Sequence, residues 1–184
     1  LLIEAAVFVL LFPRFLLHYG YEFGEAAWHA LFHSVSAFNN AGFALYTDNL
    51  IRFVEDPFIC LPLCAAIILG GLGFPVIMQL RKHFRHPLHW SMNTKLVIWA
   101  TVILLAAGTV YITVIEWNNP DTFGALTPWG RVLAGFFHSV QSRTAGFNSV
   151  DIGAMRDETW LGMDILMFIG GGPAGTAGGI KVTT

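Results

Sequence analysis

The sequence predicts an all-α membrane protein built from two tandem helix–re-entrant loop–helix units, with the last span broken by a Gly-rich loop. Of its 184 residues, 55% are hydrophobic and only 12% are charged, and the mean hydropathy is +0.61. Because a soluble domain carries about 25% charged residues, this composition is typical of a chain whose main solvent is lipid. The other two observations are stretches of membrane-spanning length and an internal repeat. We expect no nucleic-acid partner.

Four apolar stretches are predicted to enter the membrane. A transmembrane helix needs about 20 apolar residues to cross about 30 Å of hydrocarbon. Residues 57–80 and 96–117 meet that length, residues 1–17 nearly do, and residues 160–169 are apolar but too short. The chain begins inside an apolar run and stops after a glycine-rich one, so we expect it to be part of a longer protein.

The loop 81–95 gives the predicted orientation, because it holds four of the ten basic residues and no acidic one. Cytoplasmic loops carry an excess of Lys and Arg, so this loop is expected in the cytoplasm of a multi-pass cell-membrane protein. The basic residues are Arg81, Lys82, Arg85 and Lys95. The histidines of the loop are expected to be solvated rather than metal ligands: His83, His86 and His89.

An internal repeat divides the chain into two units. The sequence FHSV at 32–35 recurs at 137–140, an offset of 137 − 32 = 105 residues. The sequence AGF at 41–43 recurs at 145–147, an offset of 145 − 41 = 104 residues. The predicted parts are a first unit (1–80), the basic loop (81–95) and a second unit (96–184).

Each repeat copy follows a moderately apolar stretch, residues 24–38 in the first unit and 129–142 in the second. These stretches are too short to cross the bilayer, so they are expected to enter it as re-entrant pore loops, in a potassium-channel-like arrangement. Irregular backbone at that depth is tolerated where it lines an aqueous cavity, and its carbonyls can replace part of a cation's hydration shell. Glycine gives those carbonyls the freedom to turn inward. The predicted ion filter comprises Asn39, Asn40, Ala41, Gly42, Arg143, Thr144, Ala145 and Gly146.

The polar residues beside the two glycines are predicted to be structural. We expect the side chains of Asn39, Asn40, Arg143 and Thr144 to hydrogen-bond loop carbonyls from behind. A positive charge facing a cation path would oppose conduction, so the Arg143 side chain is expected to point away from it.

The last span is predicted to break near the membrane midplane. Residues 160–169 cover about 15 Å as a helix, half of the hydrocarbon core. Residues 170–181 then contain six glycines and a proline, too many for a straight helix. Discontinuous helices at this depth mark transport sites, so we expect a movable loop that obstructs a pore. The predicted gating loop comprises Gly170, Gly171, Gly172, Pro173, Ala174, Gly175, Thr176, Ala177, Gly178, Gly179 and Lys181.

Two alternatives to a gate exist for this glycine-rich segment. A phosphate-binding loop requires the pattern GxxxxGK[ST], but Ile180 separates Gly179 from Lys181, which disfavours nucleotide binding. Close helix packing through small residues remains open. Lys181 is expected near the inner boundary, where it reaches the interface or repels cations from a closed gate.

Four motifs together resemble the Trk/Ktr potassium-uptake family, and most closely its Ktr-type membrane subunits. They are SAFNNAGF (36–43), GGLGFPVI (70–77), SRTAGFNS (142–149) and GGGPAGTAGGIKVTT (170–184). The resemblance implies a pore of four such units, of which this chain supplies the second and third, with K⁺ held by backbone carbonyls near Gly42 and Gly146. It also implies a homodimer, a cytosolic nucleotide-binding regulatory subunit and no cofactor in this chain. Gly172 and Ala174 depart from the family pattern G[AGS]SPGS.

A Na⁺-selective or Na⁺/K⁺-symporting member remains open, because sequence separates these selectivities poorly. A membrane-embedded metalloenzyme using His29 and His33 is a remote alternative, since no HExxH motif is present and we predict no enzyme. Histidines in the re-entrant helices, His138 included, are expected to pack or hydrogen-bond. Two carboxylates lie inside predicted spans, where burial is costly, and basic residues are their expected partners: Glu4, with Arg14 as one option, and Asp164.

Overall fold

The structure is a computed structural model that describes residues 1–83 and 86–183. Over those residues the chain forms seven α-helices joined by loops and short helical turns. They are α1 (Leu2–Pro13), α2 (Phe23–Phe38), α3 (Pro57–Leu72), α4 (Phe74–His83), α5 (Met92–Glu116), α6 (Pro128–Gln141) and α7 (Asp157–Phe168). The helices α2 and α6 are the two predicted re-entrant stretches, and each begins within a residue of its predicted start.

The first unit packs α1, α2 and α3 together, and Asp56 joins the end of α1 to the start of α3. The Asp56 carboxylate caps α3 by accepting a 3.0 Å hydrogen bond from the Phe58 backbone N–H. It also accepts hydrogen bonds of 2.8 Å from Arg14 Nε and 2.8 Å from the Tyr19 hydroxyl. The predicted pairing of Arg14 with Glu4 is therefore wrong, because the Arg14 guanidinium is hydrogen-bonded to the Asp56 carboxylate instead.

The two carboxylates predicted inside spans are not deeply buried. Glu4 is half-buried and accepts a hydrogen bond of 3.2 Å from Asn39 Nδ2, while Asp164 is exposed on α7. The two cysteines are packing residues, because Cys60 and Cys64 are buried in the core of the first unit.

The stretch 57–80, predicted as one span, is broken. Helices α3 and α4 meet at Gly73 with a bend of 102°. Gly73 has a left-handed φ of 91°, and a Cβ built on it would lie 2.3 Å from the Pro173 carbonyl oxygen. Only glycine fits this position, so the glycine-rich segment packs directly into the break.

The basic loop is shorter than predicted. Helix α4 continues to His83 and α5 begins at Met92, so Lys82 and Lys95 are helical. The Gln79 side chain joins the two helices, since its Oε1 accepts hydrogen bonds from the Ser91 backbone N–H (3.1 Å) and hydroxyl (2.9 Å). Arg85 lies outside the described residues.

Among the described residues, α5 alone is long and apolar enough to cross a membrane, and the bent pair α3–α4 passes the same test as a single broken span. Helix α7 ends at Phe168, one residue from its predicted end, which confirms that the last apolar stretch is short. After it, residues 169–183 form no helix and fold back against the rest of the chain.

Candidate functional site

The glycine loops that follow α2 and α6 have left-handed φ values at the same two positions. In the first glycine loop (39–43), Asn40 has a φ of 50° and Gly42 a φ of 70°. In the second glycine loop (143–147), the equivalent Thr144 and Gly146 have φ values of 72° and 85°. Both pairs are related by the offset of 104 residues found in the sequence. Left-handed backbone at two alternate positions redirects the neighbouring peptide groups, which no regular helix or strand does.

The two glycine loops touch each other at their glycines. A Cβ built on Gly42 would lie 2.4 Å from the Ala145 carbonyl oxygen and 2.7 Å from Gly146 Cα. A Cβ built on Gly146 meets nothing closer than Gly42 Cα at 3.4 Å. The structure therefore brings the two predicted filter glycines together, and the first is the more tightly enclosed.

The first glycine loop is held by its own helix. The Ser36 hydroxyl donates a 2.8 Å hydrogen bond to the Phe43 carbonyl, and the Ala41 N–H donates one of 2.9 Å to the Ser36 carbonyl. His33 Nε2 accepts a hydrogen bond of 3.4 Å from the Leu45 N–H, and its Nδ1 lies 2.7 Å from the His29 carbonyl. The predicted hydrogen-bonding role of His33 is confirmed.

The second glycine loop is held differently, although its helix carries the same FHSV sequence. The Ala145 N–H donates a 2.9 Å hydrogen bond to the Gln141 carbonyl, and the Ser142 hydroxyl donates one of 2.6 Å to the His138 carbonyl. His138 is buried and its Nδ1 lies 3.3 Å from Gln141 Nε2. The two units are therefore not equivalent in their side-chain contacts.

The polar residues beside the glycines do not bond the carbonyls of their own loops, so that prediction is wrong. Asn39 Nδ2 donates to the Val35 carbonyl in α2 at 2.9 Å. Arg143 is 8% exposed, and its Nη2 donates a hydrogen bond of 3.0 Å to the Gly170 carbonyl. The Thr144 hydroxyl accepts one of 2.7 Å from the Gly178 N–H. Arg143 and Thr144 thus hold the glycine-rich segment beside the second loop.

The glycine-rich segment (170–181) closes on itself. The Gly170 N–H donates to the Ile180 carbonyl and the Ile180 N–H donates to the Phe168 carbonyl, both at 2.9 Å. A Cβ built on Gly170 would lie 1.8 Å from the Gly178 carbonyl oxygen, so a side chain there is excluded. The Lys181 ammonium donates to the Ala177 carbonyl.

The same segment is docked against the first unit. The Gly172 N–H donates a 2.8 Å hydrogen bond to the Gly71 carbonyl, and the Thr176 N–H donates one of 3.1 Å to the Gly70 carbonyl. The Thr176 hydroxyl donates a further hydrogen bond of 3.0 Å to the Phe38 carbonyl, at the C-terminus of α2. Small residues make this close approach possible, so the packing interpretation and a gating role are compatible.

Glu116 was missed by sequence reasoning. It is fully buried at the end of α5, and its carboxylate accepts four hydrogen bonds. The donors are Asn119 Nδ2, the Thr122 hydroxyl, the Arg156 N–H and the Thr159 hydroxyl. It therefore joins α5 to the start of α7.

Glu55 joins the two units outside the membrane-spanning helices. Its Oε1 accepts hydrogen bonds from the Thr127 hydroxyl (2.6 Å) and backbone N–H (2.7 Å) at the N-terminus of α6. These hydrogen bonds lower the pKa of the Glu55 carboxyl below its ordinary value. The negative charge of Glu55 also interacts favourably with the positive, N-terminal end of the α6 dipole.

Comparison with known proteins decides the family. A family model described as "TrkH: Cation transport protein" matches residues 1–184. The chain belongs to the TrkH cation transport protein family. The resemblance found in the sequence is confirmed, as is the prediction of a membrane transport protein rather than an enzyme. Within the described residues, no group of three or more His, Cys, Asp or Glu side chains is placed to hold a metal ion.

Individual members of the TrkH family resemble this chain at different levels. It is 46% identical, over 100% of its length, to Ktr system potassium uptake protein B of Vibrio alginolyticus, and 42% identical over 99% to the Bacillus subtilis protein of that name. It is 36% identical over 89% to the potassium/sodium uptake protein NtpJ of Enterococcus hirae. The chain spans 40% of the length of the first two proteins and 36% of the third.

A solved structure supports the fold. The potassium transporter TrkH of Vibrio parahaemolyticus matches 97% of this chain with a TM-score of 0.72 at 18% identity, and the match covers 36% of the TrkH chain. This likeness confirms the all-α membrane-transporter fold predicted from the sequence.

Proposed function

We propose that the protein containing this chain takes up K⁺ across the cell membrane, with Gly42 and Gly146 supplying two filter positions. The observation that carries the proposal is the contact between two loops with left-handed φ at matching positions, each at the C-terminus of a short helix. The negative ends of α2 and α6 lie beside these loops, where they favour a cation. Carbonyl oxygens turned toward a shared axis replace the hydration shell of K⁺.

On the family resemblance, three kinds of partner are proposed. They are the remaining two units of a four-unit pore, a second copy of the protein in a homodimer, and a cytosolic nucleotide-binding regulatory subunit. The basic connection between α4 and α5 faces the cytoplasm in this proposal, following the excess of positive charge. The segment 170–181 is proposed as the intramembrane gate. Its support is its position between the C-terminus of α2 and the second glycine loop, where it is hydrogen-bonded to Phe38 and to Thr144.

A second candidate function is Na⁺ uptake or Na⁺/K⁺ symport. It is favoured by the likeness to a protein named for potassium and sodium uptake. A filter with one glycine per unit offers fewer carbonyl layers than longer filters, so weak discrimination between the two ions is physically reasonable.

Gly146→Ser in the complete protein tests the filter, with K⁺ and Na⁺ uptake measured in uptake-deficient cells. The matched control is Gly20→Ser, because Gly20 has a similar left-handed φ of 70° and no atom within 4 Å of its built Cβ. We expect Gly146→Ser to change the K⁺/Na⁺ uptake ratio and Gly20→Ser to preserve it. An unchanged ratio in Gly146→Ser, in protein that reaches the membrane, refutes the filter assignment. Competition between the two ions in the wild type distinguishes K⁺ uptake from symport.

A further inference from the structure

A small cavity of about 10 Å³ lies behind the first glycine loop. It is bounded by α3, by the second glycine loop and by the glycine-rich segment. Residues that line it include Asn40, Gly71, Arg143, Gly171 and Ala177, together with aliphatic side chains such as Ile67. The space is that of about one water molecule.

Three polar side-chain atoms at this cavity are buried without a hydrogen-bond partner among the described residues. They are both amide atoms of Asn40 and Nε of Arg143. These atoms are already shielded inside this chain, so groups from other parts of a longer protein cannot reach them. Because buried polar groups are almost always hydrogen-bonded, a molecule small enough to enter the cavity is the remaining partner.

We propose that this cavity is a binding site for a single water molecule that bridges Arg143 and Asn40. The water accepts a hydrogen bond from Arg143 Nε–H and forms a second one with the Asn40 amide. Its size fits the cavity, and a cation is disfavoured there by the guanidinium charge. The competing occupant is a chloride ion, which would neutralise that charge.

This water connects three functional segments that otherwise meet only through packing and separate hydrogen bonds. Asn40 lies two residues before Gly42, and Arg143 lies three residues before Gly146. Arg143 also holds the Gly170 carbonyl, so the bridge runs from the first glycine loop to the second and on to the glycine-rich segment. These buried hydrogen bonds do not depend on the identity of the transported ion.

Gly71→Ala tests the site, because a Cβ on Gly71 points into the cavity without a clash. It would lie 3.5 Å from Ala177 Cβ and 3.6 Å from Asn40 Nδ2, which are ordinary contacts. The matched control is Gly24→Ala, another helical glycine, whose built Cβ meets nothing within 4 Å. In a dry cavity both changes raise the melting temperature, since alanine favours helix and fills space. With a resident water, Gly71→Ala displaces it and lowers the melting temperature while Gly24→Ala does not.

The measurement is the melting temperature of the complete purified protein. We expect Gly71→Ala to melt below the wild type. Adding Asn40→Asp to Gly71→Ala should recover part of the lost melting temperature, because a carboxylate supplies Arg143 with a direct partner. A Gly71→Ala protein that melts above the wild type overturns the proposal. So does a melting temperature of the wild type that falls when chloride is replaced by gluconate. If Gly71→Ala does not fold, a high-resolution map of the wild type decides: density within hydrogen-bonding distance of Arg143 Nε is expected, and its absence refutes the site.

Discussion

Replacing Glu116 by Gln tests whether the buried carboxylate at the end of α5 is held as a charged acceptor. All four of its partners donate, and two of them are fixed N–H groups: the Arg156 backbone N–H at 2.9 Å and Asn119 Nδ2 at 2.7 Å. A glutamine must place its NH₂ group at one of the two oxygen positions. In either orientation one fixed donor faces another donor, although the threonine hydroxyls can rotate.

The Asn119 amide cannot flip to relieve this conflict without loss. Its Nδ2 also donates to the Ala154 carbonyl at 2.9 Å, and its Oδ1 accepts from the Asp121 N–H at 3.2 Å. A hydrogen bond to a charged group contributes about 1.5–3 kcal/mol, and an unsatisfied buried donor costs about 1–3 kcal/mol more. The easier burial of a neutral amide offsets part of this sum. We therefore expect Glu116→Gln to lower the free energy of unfolding by about 2–4 kcal/mol.

The assay is unfolding of the complete purified protein in an SDS titration, followed by tryptophan fluorescence. Glu158→Gln is the control, since it makes the same chemical change at an exposed position in the first turn of α7. We expect the control to lie within about 0.5 kcal/mol of the wild type. Equal losses in the two variants would refute the assignment of Glu116 as a charged structural acceptor.

Two further predictions concern the glycine-rich segment and the contact between units. Ala174 has a left-handed φ of 55°, so Ala174→Gly should stabilise the protein by about 0.5–1 kcal/mol. The control Ala177→Gly should destabilise it, and thermal unfolding measures both effects. The pKa of Glu55 is lowered by folding, so its stabilising effect is complete above its ordinary value of 4.5 and is lost as the pH falls below it. Glu55→Gln should therefore lower stability at neutral pH by up to about 1 kcal/mol, with a difference from wild type that shrinks at acid pH, as pH-dependent unfolding would reveal.

The helices and the repeat were predictable because hydropathy and spacing encode them locally. The end of the last helix follows from the glycines that begin at Gly170, and the equivalence of Gly42 and Gly146 follows from the offset of 104 residues. The break at Gly73 was missed because 70–80 carries no charge and a single polar side chain, Gln79, so it was interpreted as the end of a span despite its three glycines and one proline. The Pro173 carbonyl packs against Gly73 at the break, a contact that only the folded chain creates.

The side-chain partners of the site were not predictable, because they come from distant parts of the chain. Arg143 bonds a carbonyl 27 residues away and the Thr176 hydroxyl bonds one 138 residues away. Glu116 gave no local signal either, since the Thr159 hydroxyl it binds is 43 residues further on. Hydrophobic periodicity describes which face of a helix is buried, but it does not identify the hydrogen-bond partner of a buried polar group.

The number of contacts that hold the glycine-rich segment limits how it can act as a gate. Among the described residues, and apart from its bonds to the flanking Phe168 and Val182, six hydrogen bonds join it to other parts of the chain, through α3, α4, Phe38, Arg143 and Thr144. Each hydrogen bond contributes about 1 kcal/mol, so an open state that lost all six without replacement would lie about 6 kcal/mol in free energy above the closed state. Converting a two-state equilibrium from 1:99 to 99:1 requires about 5.5 kcal/mol of differential binding. A gate at this segment therefore needs either a regulatory partner that contributes several kcal/mol, or an open state in which pore water re-forms these hydrogen bonds.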